Sequence, residues 1–245
     1  MPNKKLLFIS MLGDESLYHV NDYKNLCPSG LEKDWVVTWY RHLAQRYGFE
    51  MLGVDIIHGD TLPNPKLIDA VVLGGTIHLI LDDHEWLNTI LNWVREFRQL
   101  KRPLLGFCGG HQMIAVRFFR HNVLVKRKHG AMNGTYPIQL TEHGKVSPLF
   151  EGMTDTPRFH FANSYHIVPS PKEDLKILAT TNDSPAIAVD YGNNWYGTQF
   201  HPEATKESWR CYFKRDPSIH IDNYKTEQAG AQLIENFIRL SGKVS

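Results

Sequence analysis

"RPLLGFCGGHQMIA", Arg102–Ala115, is an apolar run, then a cysteine set among glycines, then a pattern that opens a helix. "RPLLGFC" reads as a strand buried on both faces and "GGHQMIAVRFF" as the helix that follows it. The same alternation extends upstream. "KKLLFIS" (Lys4–Ser10), "FEMLGVDII" and "DAVVLGG" read as strands. Between them, "LEKDWVVTWYRHLAQRYG" has apolar residues near helical spacing and stops at Gly48. "DHEWLNTILNWVREFRQLK" is amphipathic, with Asp82 or Asp83 as its expected cap and basic residues toward its end. Alternating strands and helices predict an α/β fold: a single doubly wound, largely parallel sheet with helices on both faces.

After about residue 121 the pattern changes. "GTYPIQLT", "PRFHFANSYHIVP", "LKILATT", "AIAVDYG" and "NWYGTQFHP" read as short strands broken by Pro, Gly and Asn, a smaller antiparallel set. A helix in "TEQAGAQLIENFIRLSG" follows. No linker, repeat or shift in composition divides the chain, so residues 1–245 read as one domain.

With 245 residues and a formal net charge of +1, the chain lacks the basic excess that non-specific nucleic-acid binding requires. The basic cluster "VKRKHG" (Val125–Gly130) is read as a solvated loop. No apolar run approaches the roughly 20 residues of a membrane span. The N-terminal apolar segment is too short for a secretory signal, so the expectation is a cytoplasmic protein with no membrane partner. The cysteines are Cys27, Cys108 and Cys211, an odd number without C-x-x-C spacing, which speaks against a disulfide framework or a zinc ribbon. Thirteen histidines include no H-x-x-x-H or H-E-x-x-H pattern, so no metal and no cofactor are expected.

Ligands of doubly wound sheets bind beyond the carboxyl ends of the strands, and Cys108 lies at such an end. Glycines 106, 109 and 110 permit a sharp strand-to-helix turn. A helix start supplies unpaired N–H groups and a positive dipole end, which favour a thiolate and stabilise an oxyanion. A lone cysteine is ordinarily a small packing residue; a nucleophile needs a base, and the base needs an orienting group. "YGTQFHPEAT" offers both. On extended backbone His201 and Glu203 point to the same face, so the carboxylate is placed to orient the imidazole.

These residues resemble the class I glutamine amidotransferases. "GFCGGHQ" (Gly106–Gln112) fits the family's nucleophile motif, "QFHPE" (Gln199–Glu203) its triad segment, and "SPLFEGM" (Ser147–Met153) a stretch common near the middle of these domains. The resemblance spans roughly residues 4 to 240. It implies Cys108 as nucleophile, His201 as general base and acid, and Glu203 as the group that orients His201. It implies an oxyanion hole from the backbone N–H groups of Gly75 and Gly109. Gln112 would contact the substrate, and the backbone around Tyr165 and His166 would hold its amino-acid end. The implied reaction is hydrolysis of the glutamine side-chain amide through a cysteinyl thioester, releasing glutamate and ammonia.

The chain departs from the family pattern in three places. The usual G-G-P-G loop reads Gly74, Gly75, Thr76, Ile77. The residue after the nucleophile, often large, is Gly109. The stretch Thr205–Tyr224 is longer than the family needs, and is read as a surface insertion ahead of a lid or partner surface. No synthetase domain follows the last helix, so ammonia is expected to pass to a separate synthetase partner or another acceptor. The alternative is a γ-glutamyl peptidase, which uses the same triad on a γ-glutamyl compound; the room beyond the scissile bond separates the two. An α/β-hydrolase elbow with Asp190 and His201 or His220 leaves Gln112 and "QFHPE" without a role. A regulatory subunit with a relic site does not explain a complete triad.

Overall fold

A computed structural model describes residues 4–244, and the first half repeats strand and helix as the sequence predicts. β1 (Lys4–Ser10) leads to α1 (Glu32–Arg46), β2 (Phe49–Asp55), β3 (Ala70–Leu73), α2 (Glu85–Gln99), β4 (Leu104–Phe107) and α3 (Gly109–Arg117). Then come β5 (Val123–Lys126), β6 (Met132–Pro137), β7 (Gln139–Leu140), α4 (Glu142–Lys145), β8 (Arg158–Asn163) and β9 (Tyr165–Val168). β10 (Lys176–Thr181), β11 (Ser184–Asp190), β12 (Trp195–Thr198), α5 (Lys206–Tyr212) and α6 (Gly230–Gly242) complete the order.

The main sheet runs β2-β1-β3-β4-β12-β11-β10-β7. The first five strands in that order are parallel. β11, β10 and β7 join them antiparallel. β9 branches from β11 and carries β5, while β6 and β8 form a separate two-stranded sheet. The 2-1-3-4 order is that of flavodoxin-like sheets, whose ligands lie past the strands' carboxyl ends. Those ends carry Ser10, Gly74 and Cys108, with His201 shortly after β12.

Burial on both faces explains why the parallel strands are continuous apolar runs. In β1, Leu6 and Phe8 enter one core with Trp35 and Val36 of α1 and Phe237 and Ile238 of α6. Leu7 and Ile9 enter the other, with Leu87, Ile90 and Val94 of α2 and Met113 and Ile114 of α3. Successive residues of a strand point to opposite faces, so one strand serves both layers.

Three readings need correction. The N-cap of α2 is His84, with no side-chain cap; the Asp83 carboxylate instead accepts from the Asn88 side chain at 2.9 Å. "VKRKHG" is not simply a solvated loop: Val125 and Lys126 end β5, and the buried Arg127 side chain pairs with Asp183. "PRFHFANSYHIVP" is two strands, broken at Ser164, that belong to different sheets.

Candidate active site

β4 meets α3 at Cys108, whose φ of 42° and ψ of −102° lie where non-glycine residues seldom go. Such a conformation costs about 1–3 kcal/mol and persists only where its surroundings over-determine it. The Cys108 N–H donates to the Thr198 carbonyl at 2.7 Å, and its carbonyl accepts from the Gln112 N–H at 2.9 Å. Next to it, Gly110 donates to the Gly74 carbonyl at 3.0 Å. A Cβ on Gly106 would lie 2.6 Å from the Gly110 backbone, so the turn closes only with glycine there. The thiol is thereby held, buried, at the first turn of α3, where free N–H groups favour negative charge.

The segment after β12 brings His201 and Glu203 to the same place. His201 Nδ1 and Glu203 Oε1 are 2.7 Å apart, and both residues are buried. Burial disfavours the imidazolium, but the Glu203 carboxylate and the neighbouring Cys108 outweigh it and hold the His201 proton well above the usual histidine range. Nε2 is buried without a hydrogen-bond partner on the side of the ring facing Cys108. The ring is also fixed from α5: the Trp209 indole meets it edge-to-face, centroids 5.0 Å apart at 89°.

The oxyanion-loop candidate ties these parts together. A Cβ on Gly75 would lie 2.8 Å from His201 Cε1 and 3.7 Å from Cys108 Cβ, so Gly75 sits against both. A Cβ on Gly109 would lie 2.5 Å from Thr76 Cγ2 and 2.8 Å from the Thr76 nitrogen. The two departures from the family pattern are therefore one contact: Thr76 occupies the space that a larger residue 109 would need. The loop is further held by Gly74 donating to Ile9 at 2.9 Å and Ile77 donating to Leu12 at 2.8 Å.

Cys108 stands at the junction of two cavities. One, lined by Gln112, Asn163, Ser164 and Tyr165, is polar. Gln112 is held there by its Nε2 donating to Gln199 Oε1 at 3.1 Å and to the Tyr165 carbonyl at 3.4 Å. His166 does not line this cavity; it lies on β9 opposite Val125, with Arg127 nearby lowering its proton affinity after burial has done so. The other cavity, on the His201 side, is small, about 40 Å³. Its walls include Leu12, Tyr23, Trp35, Ile77, Trp209 and Tyr212, with Glu203 and Glu32 among its carboxylates.

Glu32, Trp209 and Tyr212 are the functional candidates that the sequence did not reveal. Glu32 opens α1 and reads as an ordinary first-turn acid; only the fold turns it inward, 2 % exposed. Trp209 and Tyr212 come from the stretch read as a surface insertion, which instead roofs the site. Among the described residues no group of three or more His, Cys, Asp or Glu is placed to hold a metal.

Comparison with known proteins places the chain in a family. A family model described as glutamine amidotransferase class-I matches residues 63–216. The imidazole glycerol phosphate synthase subunit HisH of Pelagibacter ubique is 29% identical over 189 residues, covering 70% of this chain and 80% of that one. A glutamine-hydrolyzing GMP synthase subunit of Ignicoccus hospitalis is 29% identical over 180 residues, covering 67% and 83%. In fold, a glutamine amidotransferase from Thermotoga maritima superposes with a TM-score of 0.75 at 17% identity, covering 99% of each chain. With more than half its length matched by the family model and the motif residues gathered at one strand end, the chain belongs to the class I glutamine amidotransferases.

Proposed function

We propose that the protein hydrolyses the side-chain amide of glutamine, with Cys108 as nucleophile, His201 as general base and acid, and Glu203 orienting His201. The Cys108 sulfur attacks the amide carbon, and the oxyanion is received by the N–H groups of Gly75 and Gly109. His201 protonates the leaving nitrogen, ammonia departs, and His201 then activates water to hydrolyse the γ-glutamyl thioester. The polar cavity at Gln112 and Tyr165 receives the amino-acid end of glutamine. The ammonia serves a separate synthase partner, as the names of the two relatives, both synthase subunits, lead one to expect. Residues 1–245 act as one domain in this reading.

One observation carries the choice of substrate. The leaving group departs on the His201 side, and the cavity there is about 40 Å³. That narrow space suits a leaving group the size of a water molecule, which supports ammonia over the amino acid released by a γ-glutamyl peptidase.

The test is product analysis of purified protein offered glutamine and γ-glutamyl dipeptides. Glutamate and ammonia should form from glutamine, and Cys108→Ala should abolish turnover. If a dipeptide is turned over about tenfold more efficiently in kcat/KM than glutamine, the glutaminase reading falls and the peptidase replaces it.

A further inference from the structure

Glu32 has no part in the mechanism above, yet it is buried in the wall of the leaving-group cavity with Cys108, His201 and Glu203. The Ser10 hydroxyl donates to its Oε2 at 2.7 Å, and no lysine or arginine lines the cavity among the described residues. The other charged groups that face it are Glu203 and His201 across the cavity and Asp55 at the end of β2. Around it stand the rings of Tyr23, Trp35, Trp209 and Tyr212. A buried acid without a cationic partner calls for an explanation. Carboxyl oxygens inside an aromatic enclosure are the chemistry that recognises a small cation.

We propose that this cavity is a binding site for the ammonium ion and other small primary ammonium ions, with Glu32 as counter-charge and the aromatic rings as walls. The proposal rests on the glutaminase reading for the source of the ammonia. Burial, reinforced by Glu203, raises the Glu32 carboxyl to about 8, so it is mainly the neutral acid at pH 7. Protonated His201 gives its Nε2 proton to the nitrogen as the C–N bond breaks, and the nitrogen leaves as neutral NH₃. Glu32 then transfers its carboxyl proton to that ammonia, and an ammonium–carboxylate pair remains. The cavity's net charge is unchanged by this step, so no uncompensated charge is buried. The imidazole is neutral by then and does not repel the ion. The pair holds the nitrogen beside the site, and return of the proton to the Glu32 carboxylate releases it again as neutral ammonia.

Six tryptophans give six indole N–H signals, and only Trp35 and Trp209 line the cavity. The experiment titrates ¹⁵N-labelled Cys108→Ala, His201→Asn protein, in which no imidazolium faces the ion, at pH 7 with ammonium chloride, then methylammonium chloride, against sodium chloride at equal ionic strength. Ammonium and methylammonium should move the Trp35 and Trp209 signals saturably, while Trp39, Trp86, Trp93 and Trp195 follow the sodium control. With Glu32→Gln added, the affinity for ammonium should fall at least about tenfold, the loss of one charged hydrogen-bonded pair. The same spectra report whether that variant is folded; if it is not, Glu32→Asp replaces it, with a weakening of severalfold expected. Shifts identical to the sodium control, or an affinity unchanged in the folded Glu32 variant, would overturn the proposal. Glutamine turnover by the wild-type protein is measured separately. Its absence sinks the glutaminase reading, whereas turnover without ammonium binding sinks the cation site alone.

Discussion

At the scale of single residues, the contact between Gly109 and Thr76 decides whether the loop carrying Gly75 can sit beside Cys108. Gly109→Ala places a methyl 2.5 Å from Thr76 Cγ2, closer than carbon atoms approach, so the loop must shift. Loss of one oxyanion donor costs about 10²–10³ in kcat, and a partial shift should cost at least about tenfold. KM should change little, because in the proposed binding mode the amino-acid end of glutamine is held in the other cavity. Thr76→Ala in the same chain removes Cγ2 and should recover part of kcat; if steady-state kinetics show no recovery, Gly109 acts by some route other than Thr76. The grouping of Cys108, His201 and Glu203 was legible because the three lie in two short motifs with their own local geometry. Glu32 was not, because an acid in the first turn of a helix is commonplace, and only the fold, which sets its Oε2 against the Ser10 hydroxyl and Gly74, shows that this one points inward.

Among the elements, α5 is where reading and structure diverge. Its sequence, "KESWRCY", lacks the length and periodicity that mark a helix, but it is capped. Thr205 and Ser208 form a reciprocal capping box, with the Thr205 hydroxyl accepting from the Ser208 N–H at 3.2 Å and the Ser208 hydroxyl accepting from the Thr205 N–H at 3.0 Å. The cap fixes the turn from which Trp209 meets His201. Trp209→Ala should therefore lower kcat about tenfold, and Trp209→Phe should restore most of it by keeping a ring edge near the imidazole, an aromatic contact worth about 0.5–1.5 kcal/mol. A parallel loss in thermal stability without the kcat recovery in Phe would assign Trp209 to packing alone. β5 escaped notice for a related reason: its pairing with β9 is long-range, and its four residues are exposed or half-buried, so no buried face writes a pattern into them. The parallel strands and the long helices were legible because both faces, or one whole stripe, are buried.

For the whole molecule, buried titratable groups set a stability optimum. Burial holds His111 at about 3 and His160 at about 4, so both stay neutral in the fold while the unfolded chain takes up protons below its ordinary 6.5. Those two groups make stability fall as pH drops from 6.5, and His78 and His166, also lowered, act in the same direction. Glu32 acts oppositely. Its folded value of about 8 exceeds its ordinary 4.5, so the native state holds a proton the unfolded chain has lost, and stability falls as pH rises from 4.5 to 8. Between 4.5 and 6.5 the four lowered histidines outnumber Glu32, and above 6.5 the decline comes from Glu32 together with His201, whose folded value is raised well above the usual histidine range. Tm in a buffer series should peak near pH 6.5, and Glu32→Gln should flatten the alkaline decline. A decline of the same slope in that variant would remove Glu32 as its cause.

The roof over the site also fixes when it can exist. Asp22, early in the chain, is held by Lys214 and Arg215, 192 and 193 positions later, and Asn25 accepts from the Cys211 thiol across 186. During synthesis from the N-terminus, Cys108 leaves the ribosome with more than half the chain behind it. Even when His201 and Glu203 have emerged, the leaving-group cavity lacks Trp209 and Tyr212. Until the later segment is in place, the cavity beside Cys108 lacks the walls that Trp209 and Tyr212 supply. Only when the segment around Arg215 docks on Asp22 do the beginning of the chain and its last fifth close over the same sulfur.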